Sequence, residues 1–219
     1  MDRKKFLIRI GYLIFAVLFL GSCNESNYVR KKQQMKQNWE SSTSTSRLPV
    51  AEELIQEGRF GEAFKLLQRC LEANPEDAYA QYLMGRVHLG QGRDDMAYES
   101  FATSIQLESK LHQGYYALGL LVQDKDHAQD ALGYLQKALK LQPLKPEYII
   151  ALAHYYELQG QTDLAFELIK EKRRKLPEDT ELLLAHAELA QSSGDLDLAV
   201  DLYQQALLRD NTSSGLLEL

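Results

Sequence analysis

Apolar side chains recur along this chain three or four residues apart, in short runs separated by turn-forming residues. The clearest pair of runs lies between residues 115 and 139, with a mainly polar stretch at 123–130 between them. Spacing of this kind places the apolar residues on one face of an α-helix. The pattern therefore predicts two helices joined by a turn, with buried faces built from Tyr115, Leu118, Val122, Ala131, Leu132, Leu135, Ala138 and Leu139.

The two-helix pattern repeats every 34 residues. One alanine marks each repeat, and a turn residue stands five places before it; the alanines are Ala63, Ala97, Ala131, Ala165 and Ala199, and the turn residues are Gly58, Gly92, Asp126, Gly160 and Gly194. A fixed period of this length is typical of stacked helical hairpins, because one hairpin cannot bury its apolar face alone. We predict five such units, at residues 44–77, 78–111, 112–145, 146–179 and 180–213.

Small and bulky residues alternate between the two helices of each unit. A small residue in the first helix lets the second helix approach, and a bulky residue in the second helix fills the seam between them. The small residues are Gly85, Gly119, Ala153 and Ala187; the bulky ones are Leu67, Phe101, Leu135, Ile169 and Tyr203. Prolines at Pro75, Pro143 and Pro177 stand between units, where proline ends one helix without disturbing the next. The chain is therefore predicted to be all-α.

The period, the small eighth residue, the twentieth alanine and the closing proline resemble the tetratricopeptide repeat across residues 48–213. This resemblance implies a right-handed superhelical solenoid of about five helix-turn-helix repeats. It also implies that the first helix of each pair lines a concave groove. Members of the family are mostly adaptors that hold segments of other proteins, and they rarely perform chemistry, so we predict that the chain is not an enzyme.

The resemblance also assigns residues to the groove, at the second, fifth, ninth and twelfth places of a repeat. The candidate groove residues are Tyr79, Tyr82, Arg86, Tyr116, Leu120, Gln123, Ile150, His154, Glu157 and Glu188. One half of this set is aromatic and aliphatic with a single arginine, and the other half is acidic. We expect the groove to accept an amphipathic or extended segment with apolar anchors and some basic residues. The alternative is that the tyrosines only pack between neighbouring repeats.

The N-terminus has the features of an export signal. Basic residues lead into an apolar run at residues 10–20, which is about half of the ~20 residues that a membrane-spanning helix requires. The segment Leu20-Gly21-Ser22-Cys23 then resembles the bacterial lipobox. We predict a lipoprotein signal peptide at residues 1–22 and lipidation of Cys23, and the alternative is a chance cysteine behind a conventional signal or an uncleaved anchor.

Residues 23–47 are predicted to be a flexible tether, which is basic at Arg30, Lys31, Lys32 and Lys36 and rich in serine and threonine at 41–46. On this interpretation, the repeats lie on the extracytoplasmic side of a bacterial membrane.

The predicted function is that of an envelope scaffold that binds a protein and assists assembly of an envelope complex, in the manner of a pilotin or an adaptor. Two alternatives stay open. One is a docking module of a larger enzyme whose catalytic domain follows residue 219, and the other is a self-associating structural protein. Residues 214–219 are either the start of a sixth repeat or a capping stub.

Other partners and cofactors are not expected. The chain has 31 acidic and 25 basic residues, and this acidic balance argues against a nucleic-acid ligand. Its five histidines show no paired spacing for a metal, and no glycine-rich phosphate loop or nucleophile elbow is present. We therefore predict no cofactor, no metal and no small-molecule substrate. We interpret Cys70, His88 and His186 as packed core residues.

One basic motif has two interpretations. Six consecutive residues, 170–175, carry five basic side chains. The run is either a basic docking face or a solvated helix end that the negative end of the helix dipole favours.

Overall fold

A computed structural model describes residues 30–32, 46–123 and 128–215. The ranges 46–123 and 128–215 contain ten α-helices: α1 (Leu48–Gln56), α2 (Phe60–Ala73), α3 (Ala78–Gly90), α4 (Asp94–Leu107), α5 (His112–Leu121), α6 (Ala128–Leu141), α7 (Pro146–Leu158), α8 (Thr162–Arg173), α9 (Thr180–Ser192) and α10 (Leu196–Gly215). The all-α prediction is confirmed. The chain divides into two compact units between Glu76 and Asp77, so α1 and α2 belong to the first unit and α3–α10 to the second.

The described helices of the first unit form one hairpin. Helix α1 is short and carries Pro49 in its first turn, where a missing N–H costs nothing. It packs against α2. The buried residues of this hairpin are Leu48, Ala51 and Ile55 on α1 and Ala63, Leu67 and Cys70 on α2. Cys70 is fully buried, as the sequence predicts.

The second unit is a run of four hairpins in which each helix packs against the next, from α3 to α10. Helices α3, α5, α7 and α9 are the first helices of their hairpins, and α4, α6, α8 and α10 are the second. Helix α7 also contacts α9, so first helices of neighbouring hairpins touch. Carboxylate caps fix where two first helices begin, because Asp77 Oδ1 accepts from the Ala80 N–H at 2.9 Å and Asp179 Oδ1 from that of Leu182 at 2.8 Å.

The turns between paired helices depend on glycine. Gly58, Gly92, Gly160 and Gly194 have φ values of 73°, 69°, 72° and 85°, a region that side chains with a Cβ rarely adopt. The predicted turns are confirmed at these four positions. The fifth predicted turn residue, Asp126, lies outside the described residues.

Close approach of paired helices depends on a different pair of glycines. A Cβ built on Gly85 would lie 2.5 Å from two carbons of the fully buried Phe101 ring, and one on Gly119 would lie 2.7 Å from Leu135 Cγ. The predicted seam pairs are thus confirmed at these positions. Tyr203 packs against the seam cluster that includes Ala187, but it is only half-buried and its hydroxyl donates to Gln191 Oε1 at 3.0 Å.

The predicted signal peptide, Cys23 and nearly all of the predicted tether lie outside the described residues. In the part of the chain that the structure does describe, no helix combines the length and the apolar character needed to cross a membrane.

Candidate functional site

Nine of the ten candidate groove residues lie on the first helices of their hairpins, and Gln123 lies in the turn just after α5. Side chains connect two of these helices directly. The rings of Tyr116 on α5 and Tyr148 on α7 have centroids 4.7 Å apart. The His112 Nδ1 atom lies 2.6 Å from the Tyr148 hydroxyl, and Gln123 Nε2 lies 3.3 Å from His154 Nδ1. Helices α5 and α7 therefore share one face. We use the name groove face for this face together with the candidate residues of α3 and α9.

Helix α3 contributes an aromatic patch with one cation. The rings of Tyr79 and Tyr82 have centroids 5.5 Å apart, and the guanidinium carbon of Arg86 lies 6.0 Å from the Tyr82 centroid. A cation at this distance from an exposed ring contributes about 0.5–1 kcal/mol. All three side chains are half-buried, so each is partly held by the fold and partly open to a ligand.

The tyrosines of this face also pack against the core. Tyr82 lies against the buried cluster of Ala97, Phe101 and Leu118, and its ring centroid is 5.9 Å from that of Phe101. Tyr116 packs against a second buried cluster, which includes Val122 and Leu135. Each of these side chains therefore packs against the core with one part of its ring and is open to solvent with another. The core contacts hold the rings in place, which reduces the entropy lost when a ligand binds.

The other candidate residues differ in exposure. Leu120 is 41% exposed and is therefore accessible to a ligand. Ile150 is half-buried against the cluster around Ile149 and Ile169. His154 and Glu188 are exposed, and Glu157 is half-buried.

Tyr148 is a central residue of this face that the repeat pattern misses. It occupies the third place of its unit, which is the buried Ala80, Gly114 and Leu182 in the units 78–111, 112–145 and 180–213, so its position does not mark it as a groove residue. It is indeed buried, but its hydroxyl reaches His112 and the Lys145 ammonium lies 4.8 Å from its ring centroid. In the sequence, only its residue type could have indicated this role, because a buried tyrosine requires a hydrogen-bond partner for its hydroxyl.

The groove face disfavours additional negative charge. Burial, followed by the neighbouring Glu147 carboxylate and Tyr82, raises the pKa of Tyr116. Burial, followed by Tyr82 and Glu147, likewise raises the pKa of Tyr148. Burial and the charge of Lys145 lower the pKa of His112, so this imidazole is neutral at neutral pH. The tyrosines therefore act as neutral hydrogen-bonding rings, and the nearby Glu147 carboxylate lies 3.9 Å from the Lys145 ammonium.

The chain is similar to known proteins in both sequence and structure. The family model of the tetratricopeptide repeat matches residues 54–106. Tetratricopeptide repeat protein 21A from Homo sapiens is 23% identical over 168 residues, which make up 66% of this chain and 13% of that protein. Cellulose synthase operon protein C from Pseudomonas fluorescens (strain SBW25) is 28% identical over 127 residues, 57% of this chain and 10% of that protein. The chain thus spans about a tenth of the curated relatives it matches.

Solved structures give the same fold over more of the chain. TTC0263, a thermophilic tetratricopeptide repeat protein from Thermus thermophilus, has a TM-score of 0.61 at 27% identity, over 80% of this chain and 99% of its own. PilF from Pseudomonas aeruginosa has a TM-score of 0.69 at 16% identity, over 78% of each chain. MamA has a TM-score of 0.62 at 22% identity, over 76% of this chain and 97% of its own. The described helices of this chain have the fold of tetratricopeptide repeat proteins, and residues 54–106 match the repeat in sequence.

The tetratricopeptide fold is a protein-interaction scaffold, and its repeats account for the period, the turn glycines and the seam pairs described above. In residues 46–123 and 128–215, no three histidine, cysteine or acidic side chains are grouped so that they could hold a metal ion.

Proposed function

We propose that this tetratricopeptide repeat protein is a membrane-anchored adaptor of the bacterial cell envelope, which binds a segment of another protein on its groove face. One observation carries the proposal. Half-buried tyrosines on α3 and α5 are held by the core on one side and open on the other, and the exposed Leu120 lies on the same helix as Tyr116. Tyrosine and arginine are enriched at interface hot spots because they combine contact area with hydrogen bonding.

The charges of the groove face indicate the chemistry of the segment. Arg86 is the one basic member of the candidate set, whereas Glu157 and Glu188 lie on α7 and α9. Such a face is complementary to a segment that places apolar or aromatic side chains on α3 and α5. The same segment would place lysine or arginine near α7 and α9. Charge complementarity of this kind fixes the direction in which the segment binds.

Replacing Tyr82 and Tyr116 together by alanine is expected to weaken partner capture about tenfold or more, because each ring is a rigid anchor with open surface. The measurement is the amount of protein crosslinked to the full-length chain in membranes of the source cell. Circular dichroism of the purified variant reports whether the helices are retained.

Tyr98 provides the matched control for this experiment. It is an exposed tyrosine on α4, a second helix, and lies outside the groove face. Tyr98→Ala is expected to leave capture unchanged. Equal capture by wild type and by the folded Tyr82→Ala/Tyr116→Ala variant would refute the assignment of the groove face.

The membrane anchor is supported by the sequence alone, through the apolar run at residues 10–20 and the Leu20-Gly21-Ser22-Cys23 motif. A cysteine carrying more than one acyl chain attaches durably, since each buried CH₂ contributes about 0.8 kcal/mol. Anchoring also raises the local concentration of the repeats near other envelope proteins, so a modest affinity becomes effective capture. A role in assembling an envelope complex follows from this combination of anchor and scaffold.

Cys23→Ser is expected to move most of the protein from the membrane fraction to the soluble fraction. Cys70→Ser is the matched control, because this second cysteine is buried in the α1–α2 hairpin and should have no effect on fractionation. The measurement is a quantitative blot of both fractions. Retention of Cys23→Ser in the membrane at the wild-type level would contradict the lipid anchor.

A further inference from the structure

The basic run at residues 170–175 contributes to a cleft outside the groove face. Lys170, Arg173 and Arg174 at the end of α8 line an open cleft of about 310 Å³ together with His186 of α9 and Arg209 of α10. Four cationic side chains and one imidazole therefore converge where three helices meet. Lys172 and Lys175 of the same run are directed elsewhere, and both pair with Glu171, at 3.5 and 3.3 Å.

His186 lines this cleft and carries an unused hydrogen-bond donor. It is only 6% exposed, and its Nδ1 atom lies 2.6 Å from Nη1 of Arg173. A guanidinium only donates, so Nδ1 must accept and the ring proton must reside on Nε2. Within the described residues, His186 Nε2 is buried without a hydrogen-bond partner.

Arg173 presents a second unused donor beside it. Its Nε atom is also buried and has no acceptor among the described residues. Burial and the charge of Arg209 lower the pKa of Arg173. Burial and the charges of Arg173 and Lys170 lower the pKa of His186 to about 4, so the imidazole is neutral at neutral pH. Buried donors left unpaired are costly, and an acceptor that reaches them from the cleft would remove that cost.

The charge balance of the cleft indicates which acceptor fits. Glu167 pairs with Lys170 at 3.2 Å, and Glu178 lies 3.9 Å from Arg209. Among the described residues, no acidic side chain lies within ion-pair distance of Arg173 or Arg174. Two positive charges therefore remain to be balanced, and a single carboxylate would balance only one of them. A phosphomonoester carries a charge of about −1.5 to −2 at pH 7 and three acceptor oxygens.

We propose that the cleft between α8, α9 and α10 binds a small phosphomonoester, with its phosphate on Arg173, Arg174 and His186. Arginine suits this role because its planar fork donates two parallel hydrogen bonds to a phosphate. The cleft is at the small end of ligand-site volumes, so it accommodates a phosphate with a short organic group. This site is separate from the groove face and does not depend on the proposed adaptor function.

The direct test is a titration of the full-length chain in neutral detergent, with isotope-labelled histidine rings followed by NMR. The probes are inorganic phosphate, glycerol 1-phosphate and acetate at about pH 7.5, where phosphate is mostly dianionic. Both phosphates are expected to shift the His186 ring signals saturably, with acetate at least about tenfold weaker, and to leave the exposed His154 unchanged. If glycerol 1-phosphate bound much more weakly than inorganic phosphate, that result would overturn the assignment of a phosphomonoester as the ligand.

Variants identify the binding residues. Arg173→Gln is expected to weaken phosphate binding about tenfold or more, because it removes a charged, partly buried donor. Lys175→Gln is the matched control: it removes the same charge from the same basic run outside the cleft, and it should change affinity less than about twofold. If Arg173→Gln does not fold, the exposed Arg174→Gln replaces it, with an expected loss of about threefold or more. The absence of a saturable His186 shift in the wild-type chain at millimolar phosphate, or an equal loss in Lys175→Gln, would overturn the proposal.

Discussion

Phe101→Ala is expected to lower the free energy of unfolding by about 3–5 kcal/mol, the largest single-residue loss that we predict in the chain. The Phe101 ring is fully buried on α4 and packs against Ala97, Leu118 and the half-buried Tyr82. Alanine would leave a cavity at the seam with α3, and neighbouring helices can close it only in part because each is held by its own neighbours. The measurement is urea unfolding followed by circular dichroism.

Tyr98→Ala serves as the control for this prediction. Tyr98 lies on the same helix one turn earlier and is 39% exposed, with a weak contact of 3.4 Å between its hydroxyl and that of Tyr134. Its replacement is expected to change the free energy of unfolding by about 0.5 kcal/mol or less. Similar effects of the two substitutions would contradict the seam packing described for α3 and α4.

Gly85→Ala is expected to destabilise the fold by about 1–3 kcal/mol, although alanine is the better helix former. The added Cβ would lie 2.5 Å from the Phe101 ring, which is buried and has no open space into which to move. The paired helices must therefore separate. Gly133→Ala on α6 is the matched control, because a Cβ there meets nothing within 4 Å. That substitution is expected to stabilise the chain by about 0.5–1 kcal/mol.

The two substitutions are expected to change the free energy of unfolding in opposite directions, so the comparison tests the packing directly. If Gly85→Ala were as stabilising as Gly133→Ala, the close approach of α3 and α4 would be wrong. A double-mutant cycle provides a further check, since Phe101→Leu shortens the side chain that the new Cβ meets. The penalty of Gly85→Ala is expected to be smaller in the Phe101→Leu background than in the wild type.

Much of the fold could be predicted from the sequence because its determinants are local. A turn that needs positive φ requires glycine, so Gly58, Gly92, Gly160 and Gly194 mark the hairpins directly. The seam also follows from a fixed spacing within each unit, which is why the pairing of Gly85 with Phe101 could be predicted from the 34-residue period.

The groove face could be predicted only in part. The resemblance to the tetratricopeptide repeat assigned Tyr82 and Tyr116 to it by position alone. It could not assign Tyr148, because that residue occupies a core place of the repeat and reaches the groove face only through contacts with Tyr116 and His112 on another helix. A side chain that serves both the core and the surface is not visible in a positional pattern.

The cleft could not be predicted because its residues come from different units of the repeat. Arg173, His186 and Arg209 are distant in sequence and occupy unrelated places in the period. The basic run also divides within one turn, since Lys175 pairs with Glu171 while Arg173 is directed toward His186. From composition alone, these residues would be interpreted as one solvated group. The structure instead places Arg173 in the cleft and Lys175 in an ion pair with Glu171.

The most direct test of the adaptor proposal is site-specific photo-crosslinking in membranes of the source cell. A photoreactive residue replaces Leu120 on the groove face or, as the control, the exposed Leu164 on α8. The account predicts a discrete protein adduct from position 120 that is lost in the Tyr82→Ala/Tyr116→Ala background, and no such adduct from position 164. An adduct from position 164 alone, or adducts of equal yield from both positions, would contradict it.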